Sequence, residues 1–204
     1  LLQVFTGVLA STGLVLAAAM VEQRTGQRRR AVSHAVGEVL ARAPNLDSAA
    51  PEILRSICKE LDCVFASIWL VDSGGDRLRC IGVWRESTLP VAFERTTWQM
   101  DFSRGVGLPG RVWADGKGFW VENVVEDPNF PRWPIARQVG IRGAFGFPIS
   151  LGRDVLGVVE CFNRSVMTPD PDLLQTMTAV GYQIGQFIDR KRGEDAIRAE
   201  QERT

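Results

Sequence analysis

The sequence has few of the residue types that many enzymes use for nucleophilic and metal chemistry. It contains one histidine among 204 residues, and its four cysteines form no Cys-x-x-Cys pair. This excludes a Cys/His zinc finger and a disulfide scaffold. An excess of charge of either sign is also lacking, because 24 Lys and Arg residues balance 24 Asp and Glu residues. We therefore do not expect a basic nucleic-acid-binding domain.

The composition is that of an ordinary globular protein, with 45% hydrophobic and 24% charged residues. A chain of this length is expected to form one domain with extensions. The sequence begins with Leu-Leu and not with Met. We therefore expect it to be a fragment of a longer protein.

Residues 1–21 carry no charge. At about 1.5 Å per helical residue they could cross the hydrocarbon core of a bilayer, which is roughly 30 Å thick. Four arginines follow between residues 24 and 30, and a basic cluster there predicts that this end faces the cytoplasm. We predict a transmembrane helix over residues 1–21 in the bacterial inner membrane, with the body in the cytoplasm. The alternatives are a buried core helix and a signal peptide, but the latter should have a basic region before its apolar run.

The remaining sequence predicts a connector helix over residues 22–43, a domain over 44–190 and the start of a signalling helix over 191–204. Within the domain, the pattern is helix, hairpin, irregular middle, hairpin and helix. Consecutive hairpins predict an antiparallel sheet flanked by helices, which is the α+β class and not a parallel βαβ sheet. Asp47 or Ser48 is expected to cap the first helix of the domain, with Pro51 in its first turn.

One segment matches a cofactor motif by its letters alone. Residues 105–110 fit G-x-G-x-x-G, but that motif binds dinucleotides only between a buried strand and a helix. Here the preceding residues are polar, the following helix is short, and Pro109 removes an amide. His34, on the connector helix, is expected at the surface, and the four cysteines are expected to be small buried hydrophobes. We predict no catalytic residue, no cofactor and no metal site.

Several segments of the body resemble those of bacterial GAF domains. They are Gly-Val-Gly-Leu-Pro-Gly-Arg-Val-Trp at residues 105–113, and residues 127–132, 140–149, 155–162 and 184–192. The resemblance covers about residues 32–192, in the order of the family. It implies a six-stranded antiparallel sheet with helices on its faces. Residues 1–22 resemble, less specifically, the last span of MASE-type membrane sensor domains.

The resemblance implies a regulatory domain of a membrane-bound signalling protein. Such a domain relays a stimulus through helices to a C-terminal output module, which we expect to be the histidine kinase of a two-component phosphorelay. A diguanylate cyclase output, a GAF-like methionine sulfoxide reductase and a ligand-free dimerisation module are the alternatives. The reductase requires a cluster of reactive cysteines, whereas the four cysteines are dispersed in this sequence.

In GAF domains that bind small molecules, the pocket lies between the sheet and the irregular middle. The aromatic residues of that middle are our candidate ligand-binding residues for an unidentified small molecule, since aromatic rings suit a planar ligand. Their alternative role is to complete the core. The body lacks the Cys-His pair of bilin-binding relatives and the histidine of haem-binding relatives. These candidates are Trp98, Phe102, Trp113, Trp120, Phe130 and Trp133.

Apolar residues in the last helix recur at alternating steps of four and three, which is a heptad seam. The seam predicts a homodimer through the C-terminal helix. The alternative is a stripe packed on the sheet of its own domain, and both hold if different faces are used. The five seam residues are Leu173, Met177, Val180, Ile184 and Phe187.

Overall fold

The computed structural model describes residues 26–28 and 30–203 of the chain. Helices flank a sheet in an α+β arrangement, as predicted. The helices are α1 (residues 30–42), α2 (Leu46–Leu61), α3 (Val91–Trp98), α4 (Gly107–Asp115), α5 (Trp133–Val139) and α6 (Pro171–Gln201). The strands are β1 (Phe65–Val71), β2 (Leu78–Arg85), β3 (Asp101–Phe102), β4 (Phe119–Val121), β5 (Gly143–Leu151) and β6 (Asp154–Asn163).

The six strands form one antiparallel sheet in the order β3-β2-β1-β6-β5-β4. The two predicted hairpins are β1–β2 and β5–β6, and their first and last strands pair at the centre of the sheet. β3 was not predicted, because two residues are too few to give an alternating pattern. The six-stranded antiparallel sheet with flanking helices is thereby confirmed.

The predicted cap of α2 is wrong. Asn45 caps this helix, since its Oδ1 accepts a hydrogen bond from the backbone N–H of Ser48 at 3.0 Å. Asp47 instead lies in the first turn, where a carboxylate interacts favourably with the helix dipole. Pro51 falls in the second turn, where its missing N–H removes one helical hydrogen bond.

The sheet carries a hydrophobic cluster on each face. We call the side under α1, α2 and α6 the α6 face, and the side under α3, α4 and α5 the α4 face. Strand β6 supplies both, because successive side chains of a strand point to opposite faces. Val159 and Cys161 belong to the α6 face, whereas Val158 and Phe162 belong to the α4 face.

Helix α6 lies directly on β5. All five residues of the predicted heptad seam are buried in the cluster of the α6 face. Gly181 and Gly185 allow this close approach, because a Cβ at either position would overlap the carbonyl oxygen of Pro148 or Ser150, respectively. The apolar stripe therefore packs on the sheet of its own domain and is not available as a dimer seam.

Helix α1 packs on the same face as α6. Its residues Val32, Val36 and Val39 are buried in the same cluster as the seam residues of α6. The side-chain amide of Gln183 also donates a hydrogen bond to the hydroxyl of Ser33, at 3.2 Å. The helix that enters the domain thus contacts the helix that leaves it.

Beyond the sheet, α6 continues with every residue from 192 to 201 exposed. None of the helices in the described part of the chain is both long and apolar enough to cross a membrane. The predicted span over residues 1–21 lies outside the described residues.

The close packing of α6 predicts that Gly181→Ala destabilises the domain. The added methyl group must displace the β5 backbone, and overpacking of this kind costs about 1–3 kcal/mol. Urea unfolding followed by circular dichroism measures the change. The matched control is Gly193→Ala on the exposed part of the same helix, where nothing lies near the added methyl group. This control should gain up to about 1 kcal/mol of helix stability, and an equal loss in both variants would contradict the prediction.

Candidate functional site

The centre of the α4 face holds an ion pair that is entirely buried. Arg132 lies immediately before α5, and Glu160 lies on the central strand β6; both side chains are 0% exposed. One terminal nitrogen of the guanidinium donates to both carboxylate oxygens, at 2.6 and 2.8 Å. A charge in an apolar interior is stable only when it is paired and hydrogen-bonded. The pair therefore fixes the loop before α5 against the middle of the sheet.

Polar groups of two further elements complete the network around this ion pair. The carboxylate of Glu160 accepts hydrogen bonds from the hydroxyl of Ser67 at 3.0 Å and from the indole N–H of Trp69 at 2.9 Å. Both donors lie on β1, which pairs with β6. The second terminal nitrogen of Arg132 donates to the hydroxyl of Thr97 on α3, at 3.2 Å. Four elements thus meet at one buried charge pair.

Aromatic rings surround the guanidinium of Arg132. Its carbon atom Cζ lies between 5.2 and 5.7 Å from the centroids of five rings, which is within the range of cation–π attraction. The Nε of Arg132 has no hydrogen-bond partner among the described residues. The cage therefore encloses a cation of the protein itself, paired with its counterion Glu160. Its rings belong to Trp69, Phe93, Phe102, Phe130 and Phe162.

Two of the predicted ligand-binding residues, Phe102 and Phe130, are part of this cage. Trp113 is buried in the same cluster, and its indole N–H has no hydrogen-bond partner among the described residues. Trp98 and Trp133 are instead 48% and 45% exposed. The six predicted residues do not form one site, and their role in ligand binding stays a prediction.

Trp120 lies on the opposite face of the sheet from the cage. It stacks on Phe145 with a centroid separation of 5.2 Å, and its indole N–H donates to the carbonyl of Met167 at 3.1 Å. The position of Trp120 in the sequence does not predict which face of the sheet it occupies, because the register of its strand alone decides the face.

The glycine-rich segment before α4 binds another loop of the protein. The N–H of Gly107 donates to the side-chain oxygen of Asn129 at 2.9 Å, and the Asn129 amide donates to the carbonyl of Gly105 at 2.8 Å. Arg111 forms an ion pair with Asp127 in the same loop. The segment is preceded by the two-residue β3 and not by a buried strand. Its backbone groups therefore anchor the loop that leads to Arg132.

The fold brings together three of the four cysteines that the sequence disperses. Cys58, Cys63 and Cys161 lie in the cluster of the α6 face, and the thiol of Cys63 donates to the carbonyl oxygen of Leu61 at 3.8 Å. Cys80 is on the α4 face, where burial raises its pKa to about 12. No three His, Cys, Asp or Glu side chains are arranged to hold a metal ion within the described ranges.

Sequence reasoning missed Arg132, Glu160, Ser67 and Thr97. The one signal for them was Glu160 itself, a carboxylate within the apolar strand pattern Val-Val-Glu-Cys-Phe. A charge at such a position is rarely buried without a partner. The partner lies 28 residues away along the chain, and only the tertiary structure identifies it.

The fold and the site define an α+β domain with a six-stranded antiparallel sheet, incoming and outgoing helices on one face and a closed aromatic site on the other. The sequence of residues 43–189 matches the family model for the GAF domain. The chain therefore belongs to the GAF domain family. This family is regulatory and sensory, and its fold occurs in kinases and other signalling proteins.

Three solved structures illustrate the range of proteins with this fold. The GAF domain of a phosphoenolpyruvate-protein phosphotransferase from Coxiella burnetii is 16% identical, with a TM-score of 0.69 over 83% of this chain and 98% of that chain. A domain of a Sinorhizobium meliloti protein described as a two-component sensor histidine kinase is 20% identical, with a TM-score of 0.57 over 75% and 96%. The free methionine-R-sulfoxide reductase of Neisseria meningitidis, solved with its substrate, is 16% identical, with a TM-score of 0.66 over 81% and 91%.

At these identities the likeness shows the fold alone. A comparison with curated proteins found no match. The structures with this fold include both signalling domains and reductases, so the chemistry of this chain's own residues must decide between them.

The buried ion pair predicts a large loss of stability when one partner is neutralised. Glu160→Gln leaves the Arg132 charge buried without a counterion, and breaking a buried pair costs about 3–5 kcal/mol. The free energy of unfolding, measured by urea denaturation, should fall by that amount.

Two further variants test the physical reason for this loss. Replacing both partners together, as Arg132→Met with Glu160→Leu, should recover most of the loss because no unpaired charge remains. Arg42→Gln removes one partner of the exposed pair with Glu52 and should change stability by at most about 1 kcal/mol. A Glu160→Gln variant as stable as the original chain would contradict the assigned role of the pair.

Proposed function

We propose that this chain is the regulatory part of a membrane-anchored signalling protein and that it controls a histidine-kinase output module. Residues 1–21 anchor the chain in the bacterial inner membrane, as the last helix of a MASE-type sensor, and the GAF domain lies in the cytoplasm. A change of state enters through α1 and leaves through α6. The proposal depends above all on one observation, the direct contact between these two helices on the α6 face.

The α1–α6 contact has the properties of an interface that can shift. Apolar residues of both helices are buried in this contact, and the hydrogen bond between Gln183 and Ser33 adds a polar interaction to it. The side-chain oxygen of Gln183 is buried and has no hydrogen-bond partner among the described residues. An unsatisfied buried acceptor costs about 1–3 kcal/mol. That is similar to the coupling free energy of a useful switch, also about 1–3 kcal/mol, so a modest rearrangement here is enough to change the balance of two states.

The closed cage supports a relay that is independent of a ligand at that position. A small molecule inside the cage would have to displace Arg132 from Glu160 and from the five rings. A cationic ligand is the kind that could replace both interactions. A GAF module that binds no ligand is also consistent with a cage occupied by Arg132 and Glu160. In such a module the signal would still pass through α1 and α6.

A methionine sulfoxide reductase is the alternative from another functional class, and the cysteine cluster is the observation that favours it. The cluster lies on the α6 face, however, and Cys80 is the one cysteine on the face with the aromatic cage. Turnover of free methionine sulfoxide by the reduced chain would establish the reductase and reject a purely regulatory role.

A chimera tests the relay. Residues 1–201 are fused to the output module of a histidine kinase, so that the junction follows Gln201. Autophosphorylation is then measured in bacterial membranes. Gln183→Leu removes the contact with Ser33 together with the unpaired oxygen. It should change autophosphorylation by about fivefold or more, the effect of a coupling of 1–3 kcal/mol.

The matched controls for the chimera use Gly193, which lies in the exposed part of α6. Gly193→Ala keeps the helix continuous, and the effect of Gln183→Leu should persist. Gly193→Pro breaks the helix. In that background, Gln183→Leu should have no effect on autophosphorylation. The relay is wrong if Gln183→Leu leaves the kinase unchanged in a continuous helix, and the membrane anchor is wrong if the chimera is not found in the membrane fraction.

We further propose that the protein is a homodimer through α6, by a different stripe from the one the sequence predicted. Exposed residues of α6 also recur at steps of four and three, which is the spacing of a two-stranded coiled coil. Tyr182 is the largest of them and is 43% exposed. The stripe consists of Gln175, Ala179, Tyr182, Gln186 and Asp189.

The dimer proposal predicts that Tyr182→Arg converts the chain to a monomer without unfolding it, because this side chain is outside the core. Analytical ultracentrifugation in detergent measures the mass, and circular dichroism measures the fold. Met177→Arg is the contrasting variant and should unfold the domain, since Met177 is fully buried. A folded Tyr182→Arg chain that remains dimeric would reject this stripe as the interface.

A further inference from the structure

The cysteines of the α6 face are brought together first by the end of α2. Asp62 adopts a left-handed conformation there, and the N–H of Cys63 donates to the carbonyl of Cys58 at 3.0 Å. This is the long hydrogen bond of a Schellman turn, in which the side chains at the two bonded positions commonly contact each other. The turn thus places the thiols of Cys58 and Cys63 side by side.

The third thiol comes from the centre of the sheet. Cys161 pairs with Ala66 in the β1–β6 ladder, and the N–H of Val64 donates to the carbonyl of Phe162 at 2.9 Å. The first residues of β1 are therefore held beside the end of β6. This register places Cys63, just ahead of β1, beside the end of β6 that carries Cys161, and both belong to the cluster of the α6 face.

The three thiols differ in how readily they ionise. Hydrogen bonds from Cys161 and then Cys58 hold the pKa of Cys63 below its ordinary value, against the opposing effects of burial and of Asp62. Burial raises the pKa of both Cys58 and Cys161. The thiolate is the nucleophilic form of cysteine, so the direction of these shifts points to the same residue as the geometry, since Cys63 also lines a cleft at the surface.

A surface cleft of about 400 Å³ gives access to the cluster. Cys58 and Cys63 both line it, together with the basic side chains of Arg55 and Lys59 and the carboxylates of Asp62 and Glu86. Cys161 is not among the lining residues, and its side chain is fully buried. A hydroperoxide is small enough to enter such a cleft and reach the two thiols that line it.

We propose that Cys63 is a site of oxidation by hydroperoxides and that Cys58 converts its oxidised form to a disulfide. The Cys63 thiolate attacks one peroxide oxygen; an S–O bond forms, the O–O bond breaks, and the departing oxygen takes a proton and leaves as water or an alcohol. The Cys58 thiol then attacks the sulfur of the resulting sulfenic acid. An S–S bond forms, and the sulfenic hydroxyl leaves as water with the proton of Cys58. The two thiols together supply the two electrons that reduce one hydroperoxide.

Cys58 is the resolving residue for two structural reasons. It shares both the turn and the cleft with Cys63, so the two sulfur atoms can approach each other through movement of the turn alone. Cys161 is held in the central ladder of the sheet between β1 and β5, where movement of its backbone would break the ladder.

The turn also contacts the segment that leads into α1. Asp62, between the two cysteines, forms an exposed ion pair with Arg28 at 3.1 Å. If the proposed function is correct, a disulfide across this turn therefore acts at the start of the relay. The oxidation chemistry itself does not depend on the relay, so either can fail without the other.

The experiment treats the reduced 204-residue chain with hydrogen peroxide and maps its cysteines by mass spectrometry. We expect a disulfide between Cys58 and Cys63, which digestion after Lys59 separates into two linked peptides. In Cys58→Ser the sulfenic acid of Cys63 should persist and be trapped by dimedone. In Cys63→Ser both the disulfide and the dimedone adduct should be lost.

Cys80→Ser is the matched control, because Cys80 lies on the other face and is partly buried. It should oxidise at Cys63 as the original chain does. Circular dichroism checks the fold of each variant, and Cys63→Ala replaces Cys63→Ser if the latter does not fold. A competitive alkylation of the original chain needs no variant, and Cys63 should be labelled first.

Three results would overturn the proposal. They are a dimedone adduct mainly on Cys80, first alkylation at any cysteine other than Cys63, and a disulfide from Cys63 to Cys161. The last of these would transfer the resolving role from Cys58 to Cys161.

Discussion

The ion pair between Arg132 and Glu160 constrains the whole α4 face. Two opposite charges in an apolar interior are tolerable only while they remain together, so the loop that carries Arg132 must stay against the centre of the sheet. The rings around the guanidinium and the hydroxyl groups of Ser67 and Thr97 complete its environment. The irregular middle of the chain, which has little regular structure of its own, is thereby held in one position. This explains how a long and irregular connection forms a tight core.

The two faces of the sheet differ in the elements and side chains that they carry. The α4 face is closed by its own residues, whereas the α6 face carries the incoming helix, the outgoing helix and the three neighbouring thiols. The sheet is the only layer that the two faces share. Glu160 and Cys161 are adjacent on β6 and point to opposite faces. A shift of the backbone of this central strand would therefore move side chains on both faces of the sheet. The packing of α6 on β5, without side chains at Gly181 and Gly185, brings the outgoing helix into direct contact with the sheet.

The heptad seam of α6 shows what the periodicity of apolar residues can and cannot predict. Steps of four and three place apolar residues on one side of a helix, but they do not say whether a sheet or a second helix covers that side. In this chain the sheet covers it, and an exposed stripe with the same spacing lies elsewhere on the helix. The small residues Gly181 and Gly185 were the available signal, since close approach to a neighbouring backbone is one reason for glycine inside a helix.

Local patterns in the sequence determined the elements, their order and the class of the fold. Alternation predicted both hairpins, 3.6-residue periodicity predicted the long helices, and the glycine-rich and Asp-Pro-Asn segments identified the family. These features depend on residues that are close in the chain, where propensity and hydrogen bonding act directly. Only the tertiary structure decided which face Trp120 occupies, which residue neutralises Glu160 and which cysteines meet. The contacts of Trp120 with Phe145, of Glu160 with Arg132 and of Cys161 with the cysteines of the α2 turn join residues far apart in the chain, and strand register and helix packing set them, so no local pattern specifies them.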